Sequence, residues 1–255
     1  ATAMDAHLDG LALGVDRTQV GYSYVGSGAV VIAAAMDRAE GEARDAEAAL
    51  NAAIGAQSPS LRSSVESVVT QLGALTDVVA ARARYSDLTV LPLPYGKTRS
   101  VADEAVTEAA LFEGMAPVLI VPPSGMKTAQ PKRIVVGWNQ SREALVAARR
   151  ALPFLKRADM VQIVVVDPPT HGPERSDPGG HLCQLLVRHG VKAEVSVLAR
   201  TLPHVSDVLA RQVRDLDADL LVMGAYGHSR FREAILGGTT RDMLENAEVP
   251  VFLAH

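Results

Sequence analysis

The sequence is short of the residues that cross-link chains, grip nucleic acid or cross membranes. Cys183 is its one cysteine, so no disulfide closes within the chain. That suits a reducing compartment, and the expectation is a cytoplasmic protein. Positive charge is not in excess: 25 Lys and Arg face 29 Asp and Glu, for a net charge of -4. A nucleic-acid footprint would need a strongly basic face, so nucleic acid is not an expected partner. No apolar run approaches the roughly 20 residues of a membrane span. The longest near the start, 29–36, also lacks the basic flank and cleavage pattern of a secretory signal. A membrane is therefore not expected as a partner either. No Walker-type Gly-Lys-Ser/Thr and no Gly-x-Ser-x-Gly occurs. No nucleophile, base and orienter assemble, which points to a binding or regulatory protein rather than an enzyme. The histidines around Cys183 (His171, His181 and His189) fit no standard zinc spacing, so no metal site is expected.

What the chain does have is a repeat. Asp77-Val78-Val79-Ala80 resembles Asp207-Val208-Leu209-Ala210. Asp87-Leu88-Thr89-Val90 resembles Asp219-Leu220-Leu221-Val222, and Pro117-Val118-Leu119-Ile120-Val121 resembles Pro250-Val251-Phe252-Leu253-Ala254. The offset between these pairs stays nearly constant, which implies two copies of one α/β unit. Residues 122–131 have linker composition, so the copies are placed at 1–127 and 128–255.

The second copy is complete. Strands are expected at 133–137, 161–166, 191–198, 220–223 and 250–254. The run 161–166 is apolar apart from Gln162, as in a parallel sheet covered on both faces. Helices alternate with the strands: one capped by Ser141 and running through Leu152, one at 181–189, one at 206–215, and one after Gly238. This βαβα order predicts a doubly wound, Rossmann-like parallel sheet with right-handed crossovers. Ligands in such sheets sit outside the carboxyl ends of the strands. The first copy begins at its second strand, 7–13, followed by one long helix at 30–54. It lacks the initial strand and helix in this chain. With one unit length for both copies, about 25 residues belong ahead of Ala1.

The most informative stretch is Asp219 to Thr240. An apolar strand ends in Met223 and Gly224; Gly227 follows, then Gly237-Gly238-Thr239-Thr240 opens a helix. Glycine at a strand end lets a ligand or another backbone come close. A Gly-opened helix start offers free N–H groups and a positive dipole end to a phosphate. A plainer reading makes Thr239 or Thr240 a helix cap and the glycines simple turns. The combined spacing favours phosphate. The first copy has Pro92 and Tyr95 where the second has Gly224 and Gly227, and no Gly-opened helix. It has lost this loop.

The pattern Gly, two residues, Gly, nine residues, Gly, then Ser or Thr resembles the nucleotide loop of the universal stress protein family. Gly224, Gly227 and Gly237 match it, and Gly238 stands where Ser or Thr is usual, with Thr239 one place later. The resemblance implies a tandem two-domain member with a five-stranded sheet per copy and a stress-response or signalling role. It implies an adenine nucleotide, ATP alone or with magnesium, bound by the second copy. The family usually carries an Asp after the first strand, against the adenine or sugar; here Gly137, Trp138, Asn139 and Ser141 occupy that segment, with Asn139 at the Asp position. The same segment also reads as an N-terminal turn capped by Ser141. Val166 and Asp167, ending the second strand, lie against the adenine by resemblance. His228, Arg230 and Arg232 lie within the loop and offer charge to phosphates; a solvated loop face is the plainer reading. Arg241 follows the threonines and is within reach of the same anion. One rival is an interaction or scaffold protein of the same fold that binds no nucleotide; a second is a slow nucleotide hydrolase. The last strands, 118–121 and 251–254, are expected to pair the two copies of one chain or two chains of a homodimer.

Overall fold

The computed structural model describes residues 1–18, 28–57, 60–97, 99–169, 171, 174–225 and 238–255. Compactness divides it into two units, Ala1–Val79 and Ala80–His255.

In the smaller unit, β1 (Leu8–Asp16) and β2 (Ser63–Gln71) pair in parallel, joined through α1 (Gly28–Gly55). The long helix thus forms over slightly more than the expected 30–54. Ala39 and Ala43 bury its inner stripe. The approach is close: a Cβ on Gly14 would stand 1.9 Å from the Ala39 carbonyl oxygen. Any side chain at position 14 would push the helix off the strand. β2 was not foreseen, because Ser, Glu, Thr and Gln break its apolar pattern and none of its residues is fully buried. An edge strand tolerates that composition. The helix α2 (Leu75–Ala83) spans the division between the units.

The larger unit is built on seven strands. They are β3 (Thr89–Pro92), β4 (Val118–Val121), β5 (Arg133–Gly137), β6 (Met160–Val166), β7 (Ala193–Leu198), β8 (Leu220–Gly224) and β9 (Val251–Ala254). Their order is β3-β4-β9-β8-β5-β6-β7, parallel throughout except where β4 meets β9. Helices cover the sheet: α3 (Val101–Glu108), α4 (Arg142–Arg150), the single turn α5 (Leu152–Leu155), α6 (Gly180–Arg188), α7 (Val205–Asp215) and α8 (Thr239–Glu245). Val135, Val136, Val161, Ile163, Leu220, Leu221, Val222, Val251 and Leu253 are fully buried, as continuous apolar runs in a two-sided parallel sheet must be. The helix capped by Ser141 stops before Leu152 rather than running through it. Pro153 follows, and proline cannot continue a helix interior.

The five strands β9-β8-β5-β6-β7 are one doubly wound sheet. The chain moves from β5 outward to β7, returns to β8, and then moves outward the other way to β9. The direction of winding reverses between β5 and β8, which is the topological switch point. The first copy repeats this order from its second strand: β1, α1, β2, α2, β3, α3 and β4 stand for β6, α6, β7, α7, β8, α8 and β9. Among the described residues it has no counterpart of β5, the strand that separates β6 from β8. Its strands fall into two sheets, β1 with β2 and β3 with β4. β4 then pairs antiparallel with β9, Leu119 opposite Phe252, so the two last strands join within one chain. By sequence β3 and β4 belong to the first copy; by pairing they belong to the larger sheet.

Candidate functional site

Three adjacent strands, β8, β5 and β6, end at the switch point. β5 ends in Gly137, and Trp138 N donates to the Val164 carbonyl at 2.9 Å, fastening the next residue to β6. Trp138 is 7% exposed, and its indole N–H is buried with no hydrogen-bond partner among the described residues. A buried donor without an acceptor is costly, and such groups are normally satisfied by water or a ligand. The chain then turns sharply, with Gln140 at φ 64°. Asn139 Oδ1 accepts from Ser141 N at 3.1 Å, and Ser141 Oγ accepts from Ala144 N at 3.1 Å. The Ser141 hydroxyl caps α4, and the Asn139 carbonyl oxygen closes an Asx turn ahead of it. The Asn139 side-chain amide still has its NH₂ donors to offer.

At the end of β6, Asp167 adopts φ 48° and its N–H donates to Leu198 O at 2.8 Å, holding Val166 and Asp167 at the mouth of the crevice. β8 closes with Met223, 7% exposed, and Gly224. A Cβ on Gly224 would lie 2.5 Å from Ala144 N. The glycine is therefore required by the start of α4 packing on β8, whatever else occupies the crevice. Gly227, His228, Arg230, Arg232 and Gly237 lie outside the described residues.

The next described residue is Gly238, the N-cap of α8, with no side-chain cap bond. Neither Thr239 nor Thr240 is the cap; both are inside the first turn, with Thr240 buried. The chain runs from α8 into β9, which is parallel to β8, so α8 starts at the carboxyl ends of the strands. The structure thus gathers Gly137, Trp138, Asn139, Ser141, Val166, Asp167, Met223, Gly224, Gly238, Thr239 and Thr240 at one end of one sheet.

Arg241 is engaged elsewhere. Its guanidinium lies 4.7 Å from the centre of the Tyr95 ring, and its Nε donates to Glu245 at 3.0 Å. The Glu245 hydrogen bond, aided by the charges of Glu104 and Glu245, raises its pKa above the usual arginine value against the opposing effect of partial burial. Tyr95 in turn donates to Glu104 at 3.4 Å. Sequence reasoning missed this contact; the signal available was an aromatic residue standing at a lost glycine.

A cleft of about 370 Å³ runs along α6 and β7, lined by Asp177, Cys183 and Arg188 among others. Burial, then Asp177 and Glu194, push the Cys183 thiol up, which keeps it protonated and unreactive. Among the described residues no group of three His, Cys, Asp or Glu is placed to hold a metal ion. No helix among them is long and apolar enough to cross a membrane.

A doubly wound parallel sheet with its polar turns and glycines collected at the switch point defines a class of crevice-binding α/β proteins. Residues 131–255 match the model of the Universal stress protein family, and the chain belongs to that family. Universal stress protein Slr1230 of Synechocystis sp. is 31% identical over 111 residues, covering 42% of this chain and 38% of that protein. The match thus spans well under half of the curated relative's length. A universal stress protein from Archaeoglobus fulgidus DSM 4304 superposes with a TM-score of 0.69 at 16% identity, covering 97% of this chain and 85% of the other. The fold is shared along nearly the whole chain. A universal stress protein solved in complex with cAMP covers 50% of this chain and 99% of its own, at 18% identity and a TM-score of 0.40. That ligand is a property of that protein.

Proposed function

We propose that the second copy, residues 128–255, binds an adenine nucleotide, ATP, and that the protein is a stress-response binding protein rather than an enzyme. The observation that carries this reading is Trp138. A buried indole N–H without a partner among the described residues stands at the switch point of a doubly wound sheet, where an acceptor on a ligand would satisfy it. Family membership and the glycine spacing from Gly224 to Gly238 support the same reading. In it, Val166 and Asp167 border the base, the Asn139 amide donates to base or sugar, and the Gly238–Thr240 turn faces the phosphates beside Gly227, His228, Arg230 and Gly237. Magnesium enters on the phosphates, since the described residues offer no carboxylate cluster to hold it. Nucleotide binding there would then alter a surface read by a partner protein.

The test is equilibrium dialysis with ATP on wild type and Trp138→Phe. The substitution keeps the ring and removes the N–H. Binding that weakens about tenfold supports the reading, since a lost hydrogen bond to a buried donor is worth about 1–1.5 kcal/mol. Absence of ATP binding by the wild type overturns it. One observation favours a second reading, an interaction protein without nucleotide. The Asn139 carbonyl oxygen and the Ser141 hydroxyl already serve the turn and cap of α4. That reading predicts no nucleotide in the purified protein.

A further inference from the structure

The first copy carries Pro92 and Tyr95 where the second carries Gly224 and Gly227. Tyr95 is not left on the surface. It is 8% exposed, its hydroxyl donates to Glu104 on α3, and its ring lies under the Arg241 guanidinium on the first turns of α8. Arg241 comes directly after Thr239 and Thr240. On its other side it is held by Glu245, one turn along the same helix. A guanidinium over an aromatic face is attracted by the ring quadrupole, and the attraction grows as water is excluded, as it is on the buried tyrosine side.

A second contact grips the end of β8. The His255 Nδ1 lies 2.9 Å from the Ala225 carbonyl and donates to it, since a carbonyl only accepts. The edge of the Phe112 ring meets the His255 ring at 4.8 Å, interplanar angle 82°. Tyr95, Glu104 and Phe112 all come from the first copy; Ala225, Arg241 and His255 all come from the second. The backbone on both sides of the segment 226–237 is thus fastened by first-copy aromatic residues.

We infer that Tyr95 is a positioning residue for the second copy. Where the first copy lost its own nucleotide loop, it gained a clasp on Arg241 that fixes the first turn of α8. The consequence for ATP rests on the nucleotide reading above; the clasp itself does not. The affected backbone is the Gly238–Thr240 turn. With the clasp intact, Arg241 is held on Tyr95 and Glu245 rather than released toward the strand ends.

The experiment is amide hydrogen exchange over residues 239–245, together with ATP affinity, in full-length protein. Tyr95→Ala is expected to speed exchange across α8 about three- to tenfold, the size of one cation–π contact. Tyr95→Phe keeps the ring and is expected to leave exchange as in wild type. Arg241→Gln removes the same contact from the half-exposed side, so it answers the question if Tyr95→Ala does not fold. The double variant is expected to exchange no faster than the faster single one, because the two residues act as one contact. Exchange unchanged in both single variants overturns the inference, as does full additivity. In the affinity arm, Tyr95→Ala is expected to weaken ATP three- to tenfold and Tyr95→Phe to bind as wild type. A wild type that binds no ATP overturns the nucleotide reading alone, and the exchange result still decides the clasp.

Discussion

Single residues decide what the candidate site can tolerate. Gly224 reads from sequence as a ligand-approach glycine, and the structure adds a demand of its own. Ala144 N would lie 2.5 Å from any Cβ there. Gly224→Ala is expected to cost about 1–3 kcal/mol of stability in urea unfolding, because the start of α4 must shift. A loss of ligand in that variant would therefore not separate binding from folding. Asp217 is a cleaner probe. It takes φ 45° after α7 and is bound by Lys127 at 2.7 Å and by Arg133. The Lys127 hydrogen bond and charge, then the Arg133 charge, hold its carboxyl below the usual value. A depressed folded-state pKa gives stability that is present above the unfolded value and lost as pH falls through the folded one. The melting temperature of wild type is thus expected to fall more steeply below about pH 4 than that of Asp217→Asn, which lacks the titration. Parallel acid limbs would show that this clamp contributes nothing. The Asp217 clamp was invisible in the sequence because Lys127 and Asp217 are 90 residues apart.

At the scale of elements, legibility followed burial. β5, β6, β8 and β9 are rich in buried apolar residues, and each was placed within one residue or so from its pattern. β2 was not foreseen, since its residues alternate only weakly and none of them is fully buried. The short π-helical turn at Ala109–Glu113 was not foreseen either, because it keeps the composition of the helix it extends. The cap of α4 was legible, since a serine before an amphipathic run has a local mechanism. Ser141→Ala is expected to cost about 1 kcal/mol, read as a lower urea midpoint with unchanged slope. The start of α8 offers a separation that Gly224 cannot. Thr239→Asp places a carboxylate at the first helical residue, where the helix dipole favours it by about 0.3–1 kcal/mol. The same charge repels phosphate. This variant should be as stable as wild type or more so, yet bind ATP at least tenfold more weakly. Equal ATP binding in both would remove the Gly238–Thr240 turn from the site.

For the whole molecule, the repeat in the sequence predicted the tandem units, and the antiparallel β4–β9 pair joins their last strands in one sheet. What sequence could not give was the division of the first copy's strands between two sheets. Ile120, fully buried and opposite Val251, lies in the β4–β9 junction. Ile120→Glu would bury an unpaired charge there, a cost of several kcal/mol. Limited proteolysis is expected to cut that variant between residues 84 and 127 while wild type stays whole. Protection equal to wild type would mean that the junction adds little to the larger sheet.

Nucleotide binding by the second copy is tested most directly by a thermal melt with and without millimolar ATP and magnesium, run on wild type beside Thr239→Asp. A ligand that binds only the folded state at a hundredfold excess over Kd adds about 2.7 kcal/mol. For a chain of this size that is a rise of about 5–10 °C. The predicted result is such a rise in wild type and little or none in Thr239→Asp, with both proteins melting alike when ATP is absent. A wild-type midpoint that does not move at saturating ATP would contradict nucleotide binding and leave the glycine-rich strand end as packing for α4.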